Sequence, residues 1–452
     1  MRNLKSVLAV LAAMALLAGC GDKKTSDTSS TTETTTAAAE TTEAVIEATT
    51  EEVSDETDYT ELSQKLAKDL SEGKIDTTTA LFSEATRKQL TDEAMKQVLE
   101  QMKTQFGEFK ELKDTKKENQ MGMNITTTRM VYEKSELDLM IVFNKEGKID
   151  GILFQPAQDE EIVPQETDTY VETAVKVGEH ELDGMLNMPK NAEKPPLVIL
   201  IQGSGQHNMN EGPGETATFA QLSKGFAERG IATLRYNKRF FQYPELAGDD
   251  GFNIEEEVLE DADAAVKLAQ SYVDEGKVSG VYVMGHSLGG CVAPVIAKRN
   301  SEVKGIISLA GTPRNLIEIV VDQLTAQIND ASDDASSSII KESLDTAKAM
   351  LAGDTSGNLL GSPYSYYESL IDLEVGETAK GLDIPMLFLQ GKDDIQVYAD
   401  KDYPLWQEYL DGKDNCTFKL YDGLGHFFTD DNDVFDKQVM DDAAEFINNC
   451  AK

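Results

Sequence analysis

The sequence predicts an α/β fold for its larger, C-terminal part: a doubly wound, mostly parallel sheet covered by helices, preceded by a small α+β domain. After about residue 170, short continuous apolar runs alternate with amphipathic helical patterns, which is typical of parallel strands joined by helices. Between residues 59 and 157, helical spacing gives way to apolar alternation, as in a small α+β unit. At 452 residues the chain is too long for one ordinary domain.

The first 20 residues, MRNLKSVLAVLAAMALLAGC, have a basic start, an apolar stretch and small residues before a cysteine, the pattern of a secretory signal peptide. The end, LAGC, resembles a bacterial lipobox, which implies lipidation of Cys20 and a lipid-anchored chain on the extracellular face of the cell membrane. Ordinary signal cleavage is the alternative. Residues 21–58 are rich in Thr, Ser and Glu, a composition that predicts a disordered tether.

The small domain is predicted at 59–157, from leucines at helical spacing (Leu62, Leu66, Leu70), a second helical pattern from Leu90 to Met102 and alternation around 125–143. It contains no constellation of Cys, His or nucleophilic residues, so a binding or spacing module is the preferred interpretation. An acidic linker with Pro164 is expected at 158–169.

In the larger domain, 170–452, an edge hairpin comes first and apolar strands follow. The strands are predicted at 171–177, 182–188, 197–201, 231–236, from 281 to the residue before Ser287, and at 303–309, 386–389 and 417–421. The segment at about 313–378 has a helical pattern and exceeds an ordinary crossover, so we expect a cap over the carboxyl edge of the sheet.

The stretch VYVMGHSLGGCVAP ends a strand at a serine and passes straight into a helix. Such a turn is too tight for side chains at Gly285 and Gly289, and it leaves Ser287 with a strained backbone. The arrangement exposes the hydroxyl above a helix N-terminus, the geometry of a nucleophile elbow.

A serine needs a base and an acid that orients the base. Of the four histidines, only His426 follows Ser287 in the chain. Asp393 and Asp394 follow an apolar strand that lies between Ser287 and His426 in the chain. We favour Asp394 as the acid that orients the imidazole. The oxyanion of a tetrahedral intermediate needs two amide donors, and these are expected at Leu288 and, in the QGSG loop, at Ser204. A plain turn is the alternative interpretation of that loop.

Six segments carry a family resemblance: LIQGSGQHN, LRYNKR, GHSLGGCVAP, LAGTPRNL, MLFLQGKDDIQV and FKLYDGLGHFF. From about residue 170 the chain resembles the serine-aminopeptidase and dienelactone-hydrolase-like branch of the α/β-hydrolases, and more narrowly secreted bacterial carboxylesterases. The resemblance implies an α/β-hydrolase fold with a helical cap, a triad of Ser287, Asp394 and His426, and oxyanion donors at Ser204 and Leu288. The small domain resembles an NTF2-like domain of unknown function of the DUF3887 kind.

Two departures from the family pattern stand out. The chain has Asn-Lys-Arg-Phe at 237–240 where many relatives have Asp-Lys-Arg-Gly, which concerns how that loop meets substrate. It has Gln202 where lipases often have His, which leaves the backbone donors unaffected.

The expected function is hydrolysis of small neutral or short-acyl carboxylic esters, such as acetylated surface glycans, with no cofactor and no catalytic metal. A net charge of −39 argues against nucleic acid as a partner. Peptidases and acyltransferases use the same triad and remain alternatives, as does a non-catalytic surface binding protein. Two questions stay open: whether Cys416 and Cys450 pair, and whether Tyr364, Tyr366 and Tyr367 line a substrate site or form the core of the cap.

Overall fold

The computed structural model describes residues 58–120, 123–134, 136–157, 163–211, 217–243, 246, 253–330, 334–360, 362–430 and 433–451. The predicted signal peptide, the predicted lipidation site at Cys20 and nearly all of the predicted tether lie outside these residues. The chain divides between Gln155 and Pro156 into two compact units, each with its own hydrophobic core. None of the described helices is long and apolar enough to span a bilayer.

The smaller unit consists of four helices followed by an antiparallel sheet with strand order β1-β2-β3-β4. Its core lies between the sheet and helix α1, and includes Leu66, Leu70, Leu139 and Phe143. The elements are α1 (Tyr59–Ser71), α2 (Asp76–Thr79), α3 (Glu84–Gln89), α4 (Asp92–Phe106), β1 (Phe109–Gln120), β2 (Met123–Tyr132), β3 (Glu136–Phe143) and β4 (Ile149–Pro156).

Strand β1 is the longest element that the sequence patterns missed. Its sequence, FKELKDTKKENQ, shows no sustained apolar alternation, and its pairing with β2 contains two register shifts. Because β1 is an edge strand, only one side of its backbone is paired, and lysines on an edge discourage pairing with other chains. The pairing with β2, rather than local hydrophobicity, makes this segment a strand.

The larger unit is built on an eight-stranded sheet of order β14-β13-β10-β9-β7-β8-β6-β5, with helices on both faces. The first half comprises β5 (Tyr170–Val177), β6 (Leu182–Pro189), β7 (Leu197–Ile201), α5 (Thr218–Glu228), β8 (Ala232–Tyr236), α6 (Arg239–Gln242), a π-helical turn (Glu255–Leu259), α7 (Glu260–Asp274), β9 (Val281–His286) and α8 (Leu288–Arg299). The second half comprises β10 (Val303–Leu309), α9 (Leu316–Asp330), α10 (Asp334–Leu351), β11 (Asn358–Leu359), β12 (Ser362–Pro363), α11 (Tyr364–Ile371), α12 (Val375–Lys380), β13 (Met386–Gly391), α13 (Asp402–Tyr409), β14 (Cys416–Tyr421) and α14 (Lys437–Cys450).

In this sheet β5 and β6 form an antiparallel hairpin at one edge, whereas the other six strands are parallel to one another: β7, β8, β9, β10, β13 and β14. Strands β7, β8 and β9 are buried along their whole length, because helices cover both faces of the sheet. This explains why β7, LVILI, is a continuous apolar run. The predicted α/β class and the edge hairpin are therefore confirmed.

The segment between β10 and β13 is mostly helical, as predicted, with a two-stranded β11-β12 hairpin that the sequence did not indicate. Its helices contact the loops that follow the sheet strands. Gln323 Nε2 donates a hydrogen bond to the carbonyl of Gln396 at 3.1 Å, and Ser369 Oγ accepts one from the Ile254 amide at 3.1 Å. The segment thus covers the carboxyl edge of the sheet and is the cap.

Candidate functional site

The serine elbow lies where β9 ends and α8 begins. Ser287 has φ 53° and ψ −115°, a left-handed conformation that costs a residue with a side chain about 1–3 kcal/mol. Its amide donates a hydrogen bond to the carbonyl of Leu309 on the neighbouring strand at 2.9 Å, and its carbonyl accepts one from Cys291 in α8 at 2.9 Å. Contacts to both the sheet and the helix hold the backbone in this strained state.

The two glycines beside the elbow are required by space. A Cβ added to Gly285 would overlap the backbone of Gly289, and a Cβ added to Gly289 would overlap the carbonyl of Ile201 on β7. The sequence analysis predicted this crowding. Helix α8 can start directly at the strand end only because no side chain stands between them.

A buried carboxylate and an imidazole lie together on the loops after β13 and β14. His426 Nδ1 donates to Asp394 Oδ2 at 2.8 Å, and Gln390 donates to the same oxygen at 2.9 Å. Asp394 Oδ1 accepts from the amides of Gln396 and Val397 at 2.8 and 2.9 Å. Burial alone would raise the pKa of Asp394, but His426 and these amides hold it below its ordinary value.

The structure separates the two adjacent aspartates as expected: Asp394 is buried, whereas Asp393 is exposed. With Nδ1 of His426 donating to Asp394, Nε2 of that ring is the nitrogen free to accept a proton. The loop of His426 is attached to the elbow, because His286 Nε2 donates to the His426 carbonyl at 3.0 Å. The structure therefore assembles the loops of Ser287, Asp394 and His426 in one place.

The QGSG loop lies against the serine. A Cβ on Gly203 would stand 3.2 Å from the Cβ of Ser287. Hydrogen bonds hold the loop backbone on both sides of the Ser204 amide: Gly203 N–H donates to Glu211 at 2.5 Å, and the Ser204 carbonyl accepts from His207 at 2.7 Å.

The amides of Ser204 and Leu288, the two predicted oxyanion donors, have no hydrogen-bond acceptor among the residues that the structure describes. Leu288 is the first residue of α8, and the first amides of a helix have no acceptor within it. The positive end of the helix dipole lies at the same place. Both amides are therefore available to a negatively charged oxygen.

Glu211 and His286 form a buried ion pair that sequence reasoning missed. Glu211 Oε1 lies 3.1 Å from His286 Nδ1, and each side chain is 2% exposed. Burial would lower the pKa of His286, but the Glu211 carboxylate raises it above its ordinary value. Burial would raise the pKa of Glu211, but His286 lowers it. The pair connects the QGSG loop, through the Gly203 amide, to the strand that carries Ser287.

A second buried pair lies on the other side of the QGSG loop and was also missed. Lys238 Nζ contacts the Gly203 carbonyl at 2.8 Å and Glu257 at 2.7 Å. Lys238 lies two residues after the fully buried strand β8, in the 237–240 segment that departs from the family pattern. A charged residue at that place was an available signal. Glu257 carried no local signal, because it lies in a helical segment rich in carboxylates.

The tyrosines of the cap have partners inside the protein. Tyr366 OH donates to Glu257 at 2.5 Å and Tyr367 OH to the Leu359 carbonyl at 2.8 Å. Both rings are buried and meet edge to face. These two residues form the core of the cap, while Tyr364 is half-buried.

Cys416 and Cys450 do not form a disulfide, and Cys291 is also free. Cys416 packs against the core on one face of the large sheet and Cys450 against the core on the other. Among the aspartates after His426, the side chain of Asp436 caps the N-terminus of α14 by accepting from the amides of Gln438 and Val439.

Comparisons with known proteins agree with this architecture. Residues 63–152 match the model of a family described as a protein of unknown function (DUF3887). The esterase EstD of Thermotoga maritima is 30% identical in an alignment of 351 residues that covers 76% of this chain and 82% of EstD.

Among solved structures, Est1E from Butyrivibrio proteoclasticus is 19% identical and covers 62% of this chain and 98% of its own, with a TM-score of 0.44. The esterase Pf2001 of Pyrococcus furiosus is 14% identical and covers 65% and 98%, with a TM-score of 0.42.

The sheet order, the elbow and the relationship to EstD define the class: an α/β-hydrolase enzyme of the carboxylesterase type. The chain belongs to the esterase family of EstD, with a DUF3887 region before its hydrolase domain.

Proposed function

We propose that the protein hydrolyses carboxylic esters through an acyl-serine intermediate, with Ser287 as nucleophile, His426 as general base and Asp394 as the group that orients the imidazole. The observation that carries this proposal is the Asp394–His426 contact of 2.8 Å on loops fastened to a strained serine elbow. Four hydrogen bonds keep Asp394 ionised and fixed, so it stabilises the imidazolium that forms when Ser287 loses its proton.

In the acylation step, Nε2 of His426 takes the hydroxyl proton as Ser287 Oγ attacks the ester carbonyl. The carbonyl oxygen becomes an oxyanion that accepts from the amides of Ser204 and Leu288. Collapse breaks the bond to the alcohol, which leaves with the proton from His426. Water, activated by the same imidazole, then attacks the acyl-serine and releases the acid.

We propose small neutral or short-acyl esters as substrates, with acetylated surface glycans as natural examples. The net charge of −39 repels anionic substrates. Aminopeptidase activity would need a carboxylate free to bind a substrate ammonium. The two buried carboxylates beside the QGSG loop already have cationic or titratable partners, Glu257 with Lys238 and Glu211 with His286. This favours an esterase over an aminopeptidase.

The test is burst kinetics with p-nitrophenyl acetate and butyrate, and intact mass after treatment with a serine-directed phosphonate. We expect a stoichiometric burst and one adduct on the native protein. Ser287→Ala should lose both, with kcat lower by about 10⁶-fold as for other serine hydrolases. A folded Ser287→Ala protein that keeps the burst would refute the mechanism. Leucine p-nitroanilide should not be cleaved.

We further propose that the mature chain is lipid-anchored through Cys20 at the extracellular face of the membrane and that its smaller unit is NTF2-like. The support is the sequence LAGC at residues 17–20 and, for the smaller unit, helices followed by a four-stranded antiparallel sheet. Metabolic labelling with a fatty acid should mark the wild-type chain and spare Cys20→Ser. Equal labelling of the two chains would contradict the anchor.

A further inference from the structure

A buried polar chain connects the cap to the QGSG loop. It runs from Tyr366 OH to Glu257 at 2.5 Å, and from Glu257 to Lys238 at 2.7 Å. The side chains of Lys238 and Glu257 are 3% and 6% exposed, and Tyr366 is buried. Charges so deeply buried are costly unless every hydrogen-bonding atom has a partner. Here each oxygen of Glu257 has one, and Tyr366 supplies the partner of Oε2.

The chain ends on the peptide unit that carries an oxyanion donor. Lys238 Nζ contacts the carbonyl of Gly203 at 2.8 Å, and that carbonyl shares one planar peptide with the amide of Ser204. In a trans peptide the C=O and N–H bonds point in opposite directions. Fixing the Gly203 oxygen against Lys238 therefore aims the Ser204 N–H the other way. A cation on the carbonyl also polarises the peptide and makes its N–H a stronger donor.

Glu257 holds the next peptide as well, because the Gly205 amide donates to its Oε1 at 3.4 Å. The glycines on both sides of Ser204 would otherwise leave this loop free to rotate. Glu257 itself lies in a π-helical turn at 255–259, a local irregularity often found at functional sites. The loop orientation thus depends on Glu257, whose Oε1 contacts Lys238 and whose Oε2 accepts from Tyr366 in the cap.

We propose that Tyr366 is a positioning residue that, through Glu257 and Lys238, fixes the Ser204 oxyanion donor and so couples the seating of the cap to transition-state stabilisation. This inference rests on the proposed function, in which Ser204 is a donor. Without the Tyr366 hydroxyl, Oε2 of Glu257 is a buried acceptor without a donor, and the carboxylate can rotate away from Lys238. The Gly203–Ser204 peptide then loses its fixed direction, while the substrate still binds.

The test compares Tyr366→Phe with Tyr367→Phe. The two residues are neighbours in α11, both hydroxyls are buried and each makes a hydrogen bond, but Tyr367 bonds Leu359 inside the cap. We expect Tyr366→Phe to lower kcat for p-nitrophenyl acetate by about 10-fold with KM little changed, a fraction of the 10²–10³-fold loss seen when an oxyanion donor is removed. Affinity for a trifluoromethyl ketone, which presents an oxyanion, should fall by the same factor. Tyr367→Phe should leave both unchanged.

Urea unfolding of both variants separates a structural effect from a catalytic one. Tyr366→Phe removes a donor to a buried carboxylate and Tyr367→Phe a donor to a neutral carbonyl, so we expect Tyr366→Phe to lose more stability, and kcat is compared under conditions where both variants are folded. Glu257→Gln is a second variant of the same chain; it keeps the shape but loses the charge that holds Lys238, and its kcat should also fall. The inference is overturned if Tyr366→Phe or Glu257→Gln, once folded, matches Tyr367→Phe in kcat and ketone affinity. If instead Ser287→Ala retains the burst, the proposed function fails, whatever the tyrosine variants show.

Discussion

At the scale of single residues, the site depends on buried polar side chains, most of whose donor and acceptor atoms have a hydrogen-bond partner. Asp394 accepts four hydrogen bonds, so its charge is stable without water. Glu211 and His286 are different, because the charge of each favours the ionised form of the other and, among the residues that the structure describes, Glu211 Oε2 and His286 Nδ1 have no aligned hydrogen bond. The stability of this pair should therefore depend on pH.

The Glu211–His286 pair gives a signed prediction. The pKa of His286 is raised above 6.5 in the folded chain, so its stabilising effect is complete below that pH and disappears as pH rises through the folded pKa. The pKa of Glu211 is lowered from 4.5, so its effect is present above that pH and disappears as pH falls through the folded pKa. The difference in free energy of unfolding between the wild-type chain and Glu211→Gln should therefore be largest between pH 4.5 and pH 6.5 and should shrink on either side.

Breaking a buried pair by removing one partner costs about 3–5 kcal/mol, and urea unfolding of Glu211→Gln across pH measures it. The control is Glu377→Gln, which removes an exposed pair with Lys380 and should change stability little at any pH. If the difference in free energy of unfolding between the wild-type chain and Glu211→Gln stays constant from pH 4 to pH 8, the two groups do not titrate together.

At the scale of secondary-structure elements, the elbow depends on how closely α8 approaches β7 and β9. Gly289 touches the carbonyl of Ile201 so closely that no side chain fits. The contact is with backbone, which cannot move aside as a flexible side chain would.

We expect Gly289→Ala to destabilise the protein by about 1–3 kcal/mol or more, as overpacking does, and to displace Ser287 so that kcat falls. Gly381→Ala is the control, because its Cβ would meet only ordinary contacts, the nearest at 3.4 Å. Thermal unfolding and esterase assays on both variants measure the effect. A Gly289→Ala protein as stable and active as Gly381→Ala would mean that the helix can withdraw from the strand at no cost.

At the scale of the whole molecule, the two units have separate cores, and every candidate catalytic and oxyanion-hole residue lies in the larger one. Phe143 is fully buried in the smaller unit, with its ring 4.8 Å from that of Tyr59. Phe143→Ala should destabilise that unit by about 3–5 kcal/mol.

We expect Phe143→Ala to leave kcat/KM for p-nitrophenyl acetate unchanged. Calorimetry combined with the assay would show a lower transition for the smaller unit alone. Phe226→Ala, in the core of the larger unit, is the matched control and should lose stability and heat-resistant activity together. Parallel loss of activity in Phe143→Ala would show that hydrolysis requires the smaller unit to be folded.

The sequence by itself determined the elements whose signals are local. Continuous apolar runs marked the central strands, the two glycines marked the elbow, and the order of Ser287, Asp394 and His426 singled out one histidine of four. Asp394 could be preferred to Asp393 but not distinguished from it physically, because burial decides between adjacent carboxylates. Strand β1 escaped notice because its pairing partner, rather than its own pattern, makes it a strand.

Only the tertiary structure decided the polar contacts that hold the site. Glu211 and His286 are 75 positions apart in the chain, and Tyr366 and Glu257 are 109 apart. No local periodicity records such a pair, since each member reads on its own as one more carboxylate, histidine or tyrosine. These pairs matter because they are removed from water. A buried charge is costly when it is alone and firmly held when it is paired. Only folding buries these side chains and brings the partners together.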